Sequence, residues 1–325
     1  MLPGPLFRGV QLYATRMGPY AMSVFLRFID IHEKPAMNPK AIRHTASRFL
    51  LMTIGFLAAV VPGLAGAQEG GYRFSPVNQY DINLTAAYWN PIISYVSEKS
   101  GVKLSLKIGR TSADTTSYVL AQEVEFIFSN HLFSPEREKL GWQVFGRRQM
   151  PAVHGQIVVP ADSPINDLAQ LRGQEVAFPG PEALVAYKFP YAHLLSKGID
   201  VKVVFGGNQN AALAQLFAGK VKAVGGNSQL IEGYAKRENK KVRVLWSSEP
   251  VYDLALMASG KVPEKDVKAV AAAFFNMHKD PRGREILHQA SIQVGLTSDA
   301  YFIASDGSEY GSYRRFYQTA PASLR

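Results

Sequence analysis

The chain has 325 residues, 47% hydrophobic and 19% charged, with 27 Gly and 19 Pro; these proportions fit a globular chain of one or two domains and exclude disordered and collagen-like classes. It has no cysteine, which removes a disulfide framework, a thiolate zinc site, an iron–sulfur cluster, a cysteine nucleophile and a lipidated N-terminal cysteine. The formal charge of +10 would suit a nucleic-acid partner only if it lay on the folded part.

Much of that charge lies elsewhere. Met37 to Ala67 reads as a secretory signal: Lys40, Arg43 and Arg48 form the basic region, Phe49 to Val61 is uncharged, Pro62-Gly63 ends the run, and Ala65-Gly66-Ala67 is a small-x-small cleavage site before Gln68. The apolar run of about 13 residues is short for a membrane-spanning helix. Residues 1–36 lie upstream of Met37, itself a plausible start, so 1–67 is assigned to an upstream segment plus a signal cut after Ala67. Those residues hold seven of the 36 basic and two of the 26 acidic side chains, leaving 29 against 24, a net +5. The longest basic cluster left is Lys240-Lys241-x-Arg243. A periplasmic location is expected, and a nucleic-acid partner is not.

From Tyr72 onward, short apolar strands alternate with amphipathic helices, the pattern of an α/β sheet. Strands are expected at Tyr72–Val77, Val102–Ile108, Phe126–Phe128, Gln156–Val159, Glu175–Phe178, Val201–Phe205, Lys222–Val224 and Val242–Trp246. Helices are expected at Leu84–Lys99, stopped by Gly101, then at Thr115–Ala121, Leu184–Ser196, Asn210–Ala218 and Gln229–Lys236. Pro263 to Ala290 reads as helical with a break at Asp280-Pro281.

One internal echo suggests two similar units. Gln122 to Asn130 and Gly219 to Asn227 each run from a helix end through a tight turn and a short strand to a polar tip ending in Asn, 97 residues apart. Two α/β lobes with polar strand ends would face each other across a cleft, where ligands of such sheets bind.

The order and spacing of several segments then resemble the periplasmic substrate-binding proteins of phosphonate, phosphite and phosphate ABC transporters. Ala86 to Val102, with its Pro91 and Gly101, resembles that family's first helix. Asp162 to Phe178 is similar to the segment entering the second lobe. Tyr187-x-x-Pro190 with Leu194-Leu195 and Gly198 fits the next helix, and Ala218-Gly219-Lys220-Val221 the later helix-to-strand turn. The resemblance covers Tyr72 to Leu296 and implies a two-lobed type II periplasmic-binding-protein fold, each lobe a mixed sheet flanked by helices. It implies closure of the interlobe cleft on a small ligand for delivery to an inner-membrane ABC permease. The lobes are expected at 68–153 with 251–325, and at 154–250.

The resemblance weakens at the ligand. Where the family has a Ser-Thr-Ser-Gly run at a helix N-terminus, this chain has Ala183-Leu184-Val185-Ala186, preceded by Glu182. The helix N–H groups survive, but the hydroxyls that would hold a tetrahedral oxyanion are gone. By the same alignment Ser112 stands at a usually aromatic position, Ser129-Asn130-His131 replaces a Gly-Pro, Gln209 replaces a His, Asn227 an acidic residue, and Gly155 beside His154 a Ser. The candidate ligand-binding residues are Tyr80, Ser112, Ser129, Asn130, His131, His154, Tyr187, Gln209, Asn210 and Asn227. An amide- and imidazole-rich set suits a small ligand with both donors and acceptors, neutral or singly charged.

Each candidate has a plainer alternative. His131 and His154 are either ligand contacts or satisfied surface histidines; Asn130 and Asn227 bind or shape turns; Tyr88 and Trp89 read as packing residues, whereas Tyr80 sits on a loop. No spaced set of metal ligands or nucleophile–base pair stands out, so neither a metal, a cofactor nor catalysis is expected. A monomer is expected. The competing reading is a periplasmic ligand sensor docking on a membrane histidine kinase; an enzyme on the same fold ranks lower.

Overall fold

The computed structural model describes residues 70–325; the upstream segment, the signal and its cleavage point after Ala67 lie outside them. Two sheets organise the described chain. The first half contains β1 (Tyr72–Pro76), α1 (Ile82–Ser100), β2 (Leu104–Leu106), α2 (Asp114–Leu120), β3 (Phe126–Ser129), α3 (Pro135–Glu138) and β4 (Trp142–Gln149). Then come β5 (Gly155–Pro160), β6 (Glu175–Phe178), α4 (Phe189–Ser196), β7 (Lys202–Phe205), α5 (Gln209–Phe217), β8 (Ala223–Asn227), α6 (Ser228–Arg237) and β9 (Val242–Ser247). The chain ends with β10 (Ala255–Ser259), α7 (Glu264–Asn276), α8 (Pro281–Gln293), β11 (Tyr301–Ala304) and α9 (Gly311–Thr319).

The first sheet has the order β11-β4-β10-β3-β1-β2, the second β7-β6-β8-β5-β9. Each is mixed. β1 runs parallel to β2 and β3, and β6 parallel to β7 and β8, through helical crossovers. Strands β4, β10 and β11 in one sheet, and β5 and β9 in the other, join by antiparallel pairing. This is the two-lobed arrangement expected, with mixed sheets flanked by helices.

The first lobe's core forms where α1 lies on the sheet. Asp81 caps the helix by accepting a hydrogen bond from the Leu84 N–H at 3.0 Å, and Gly101 at φ 69° ends it in a conformation that favours glycine. Between these stops Tyr88, Trp89, Ile92 and Val96 are buried. Trp89 meets Phe74 and Phe128 with ring centroids 5.0 and 5.1 Å apart, so Tyr88 and Trp89 are packing residues.

The chain passes between sheets at β4–β5 and again at β9–β10. The two passages touch at Val153 and Val251, which exchange backbone hydrogen bonds of 2.8 Å. A third link was not foreseen. After α9, Ala320 and Leu324 are buried in the second sheet's core beside Ile157 and Phe178, and Phe316 packs against the cores on both sides. The segment 251–325, expected in the first lobe, thus ends in a tail whose apolar residues Ala320 and Leu324 are covered by residues of the second sheet.

Candidate functional site

The parallel strands of both sheets aim their carboxyl ends at the space between the lobes. After β1 come Val77, Asn78 and Gln79; after β3 come Asn130 and His131; Pro179 follows β6, and Asn227 ends β8. These residues line one cavity together with Ser112, Ala183 to Ala186, Gln209, Leu230, Asp253 and Leu254. The cavity measures about 40 Å³, room for roughly three water-sized groups, so a ligand larger than that requires the lobes to stand wider apart.

The lobes meet through specific bonds. The Ser112 N–H donates to the Gly207 carbonyl at 2.8 Å, and the Gln209 N–H to the Gln79 carbonyl at 3.3 Å. Gly207 has φ 91°, a conformation that L side chains rarely adopt. Asp114 builds the loop that presents Ser112: its carboxylate accepts from the Arg110 and Thr111 N–H groups at 2.6 and 3.0 Å and from the Thr111 hydroxyl at 2.9 Å. Burial raises the Asp114 pKa, but these bonds outweigh it and hold the carboxyl below its ordinary range.

On the opposite wall lies Ala183 to Ala186, the segment that the family resemblance aligns with a hydroxyl-rich run. Leu184–Lys188 forms a π-helical turn leading into α4, with the Lys188 N–H reaching back to the Ala183 carbonyl at 3.0 Å. Two glycines let its backbone lie directly on the sheet. A Cβ on Gly155 would collide with the Val185 carbonyl, and one on Gly225 with the Phe178 ring. Leu184 and Val185 turn their apolar side chains into a core cluster shared with Leu132, Phe133 and Tyr313. The first-turn N–H groups of Leu184, Val185 and Ala186 have no intrahelical acceptor, as at any helix start.

Charge at the site is compensated. Glu182 is paired across the lobes with Arg137, one guanidinium nitrogen lying 2.9 Å from Oε1 and the other bonding Oε2. Burial raises the Glu182 pKa, but Arg137 overrides it and keeps the carboxyl below its ordinary value. Asp253, a carboxylate that sequence reasoning missed, lines the cavity and is paired with the buried Arg148. Arg148 also donates to the Tyr88 hydroxyl at 3.3 Å and to Gln229 Oε1 of the other lobe at 3.4 Å. No Lys or Arg is among the cavity-lining residues.

Five of the ten residues singled out from the sequence line the cavity: Ser112, Asn130, His131, Gln209 and Asn227. Ser112 Oγ is buried without a partner among the described residues. His131 is buried, its Nδ1 3.0 Å from the Thr116 hydroxyl, and burial pushes its pKa down to about 4, so the ring is neutral at pH 7. Gln209 braces the second lobe: its Oε1 accepts from the Asn227 N–H at 3.3 Å and its Nε2 donates to the Gly225 carbonyl at 3.5 Å. Asn227 caps α6 by accepting from the Gln229 N–H at 2.9 Å.

The other five do not line it. Tyr80 is buried against Tyr88 and the Arg237 guanidinium, and burial raises its hydroxyl pKa to about 12. Ser129 points its hydroxyl at the His131 N–H, 3.0 Å away. His154 sits at the passage between lobes, with Nδ1 2.7 Å from the Ser248 carbonyl. Tyr187 packs among Phe178, Tyr191 and Phe205. Asn210 ties the lobes from outside the cavity, donating to Asp81 at 3.4 Å and accepting from Arg237 at 3.1 Å. These placements share a cause: strand-tip spacing finds the cleft, while side-chain direction depends on neighbours far away in sequence.

Sheet order, crossovers and an interlobe cavity at the strand tips define the type II periplasmic binding fold. A sequence model of the family described as ABC transporter, phosphonate, periplasmic substrate-binding protein matches residues 74–300. The chain belongs to that family: it is a periplasmic protein that captures a small ligand for an ABC-type transporter. Among solved structures it is similar to a binding protein component of an ABC phosphonate transporter from Pseudomonas aeruginosa, at 14% identity and TM-score 0.66 over 76% of this chain and 86% of that one. PhnD1 from Prochlorococcus marinus, in complex with methylphosphonate, is 14% identical with TM-score 0.64 over 76% and 97%. A Xanthomonas citri protein bound to ATP is 14% identical with TM-score 0.59 over 76% and 95%. At such identities these structures establish the fold alone. No curated protein matches the chain.

Proposed function

We propose that Ser112, Asn130, His131, Gln209 and Asn227, together with Asn78 and Asp253, form the ligand site. The ligand is a small polar molecule, neutral or singly charged, in place of a phosphorus dianion. The observation that carries this reading is the interlobe cavity itself: Asn78, Gln79, Ser112, Asn130, His131 and Asp253 line it from the first lobe, Ala183 to Ala186, Gln209 and Asn227 from the second, and no cationic side chain lines it. A dianion there would lose several charge-assisted bonds that a hydroxyl cluster supplies elsewhere in the family.

In this reading the first lobe comprises 68–153 and the chain from 251 to α9, the second comprises 154–250, and the tail joins them. The signal is removed after Ala67, the protein works as a monomer, and the permease reads its closed form. Transport is preferred to sensing because the family is defined by its transporter. No catalytic step is assigned, since the cavity's carboxylate, Asp253, is committed to Arg148.

A thermal-shift screen tests the reading, using phosphate, phosphite, simple phosphonates, and neutral and amine-bearing metabolites. A ligand at about 100 times its Kd adds roughly 2.7 kcal/mol of stability. Asn130→Ala and Gln209→Ala are expected to weaken the binding of any hit while the protein stays folded. Unchanged affinity in both removes them from the site.

A further inference from the structure

We propose that Asn78 and Asp253 form an acceptor pole that makes the cavity selective for a ligand carrying at least one N–H or O–H donor. A donor-free oxyanion is rejected. This rests on the solute-binding reading above and names the chemistry of its ligand.

Asn78 is fully buried and lines the cavity. Its Nδ2 donates to the Gly109 carbonyl at 2.6 Å. A peptide carbonyl can only accept, so that bond fixes which end of the amide is nitrogen. The other end, Oδ1, is buried and has no partner among the described residues. Of the seven buried side-chain atoms without a partner among the described residues, Asn78 Oδ1 and Ser112 Oγ are the two on cavity-lining residues, and an unmet buried acceptor is costly until a ligand supplies its donor.

Asp253 strengthens the same bias. Its negative charge is already matched by Arg148, yet an ionised carboxylate still offers only lone pairs to the cavity. Ser112 Oγ, buried and unpartnered, completes this wall with a hydroxyl able to donate or accept. A fully deprotonated oxyanion would place its lone pairs against Asn78 Oδ1 and Asp253, with no Lys or Arg among the cavity-lining residues to receive them. A ligand that carries a donor satisfies Asn78 and can meet Ser112 Oγ beside it.

Titration calorimetry of the purified protein at pH 6.0 with three matched pairs tests the proposal: phosphate and sulfate, methylphosphonate and methanesulfonate, glycine and its N-trimethylated form. In each pair the first member carries a donor and the second has none. The expected result is that binding, where it occurs, favours the donor-bearing member by about ten- to a hundredfold. Asn78→Leu should bring the two members of that pair to within about threefold of each other. Since the variant removes a buried hydrogen bond, the decision rests on the unaltered protein. Equal or tighter binding of sulfate, methanesulfonate or the trimethylated amino acid overturns the proposal and leaves the solute-binding reading standing. No binding by any donor-bearing member overturns the proposal, while the wider thermal-shift panel separately decides the solute-binding reading.

Discussion

A side-chain carbon placed on Gly180 would lie 2.5 Å from Ser112 Oγ, across the boundary between the two lobes. The absence of a side chain at Gly180, just beyond β6, therefore leaves room for the Ser112 hydroxyl where the lobes meet.

Gly180→Ala is expected to hold the lobes apart. Its backbone is not in the region that favours glycine, so the strain comes from Ser112 alone. Ser112 Cβ would stand 3.9 Å from the new carbon, an ordinary contact, so adding Ser112→Ala should restore closure. Small-angle scattering of the single and double variants checks this. A double variant as open as Gly180→Ala alone would sink the idea.

The pair formed by Arg137 and Glu182 is the most direct ionic tie between the lobes at the cavity. Arg137→Gln and Glu182→Gln should each loosen the closed form, with a larger radius of gyration in the absence of ligand. Partly buried, bidentate pairs couple by about 0.5–3 kcal/mol in double-variant cycles. The double variant should therefore open no further than either single one. Additive opening would show that the two side chains act independently.

His131 predicts a pH dependence of stability. Burial lowers its pKa to about 4, with Arg137 and Lys188 adding to the effect and Glu182 opposing it. In the unfolded chain the ring takes up its proton near pH 6.5, so between that value and about 4 the unfolded state binds more protons and stability falls as the pH drops. The full loss is roughly 3 kcal/mol. Glu182 contributes stability that goes only at lower pH, because its folded carboxyl is held below the ordinary range. Urea unfolding between pH 6.5 and 5 should show a slope in the wild type that His131→Gln reduces; identical slopes would refute the assignment.

Arg148 and Asp253 are both buried and paired. Removing one partner leaves a charge without compensation, so Asp253→Leu and Arg148→Met should each cost about 3–5 kcal/mol. Replacing both should cost less than either. Urea midpoints for the three variants measure this, and a double variant weaker than both singles would contradict it.

The sequence disclosed the fold through period and punctuation. β1, α1, β3, β6 and β8 alternate apolar runs with Gly and Pro stops, and the echo ending at Asn130 and Asn227 marks the tips of β3 and β8, which line one cavity. β4, β10 and β11 escaped notice. β4 interleaves Gly146, Arg147 and Arg148 with its apolar residues, and β10 and β11 are short strands whose partners lie far away in sequence. Asp253 was missed with them, since it falls just before β10. Asn78 gave no local signal: only the contact with Gly109, 31 residues on, orients its amide. Tyr187 misled for the opposite reason, matching a family segment while its ring was taken up by neighbouring aromatics.

The tail beyond α9 has a consequence for the order in which the protein can be assembled. The strands of the second lobe end at Ser247, yet Ala320 and Leu324 fill part of that lobe's core. A chain emerging from its N-terminus thus cannot finish packing that lobe until some seventy further residues have followed. Maturation of the second lobe is tied to arrival of the far end of the chain, and a cut ahead of Phe316 would leave a half-covered apolar face rather than a shorter working protein.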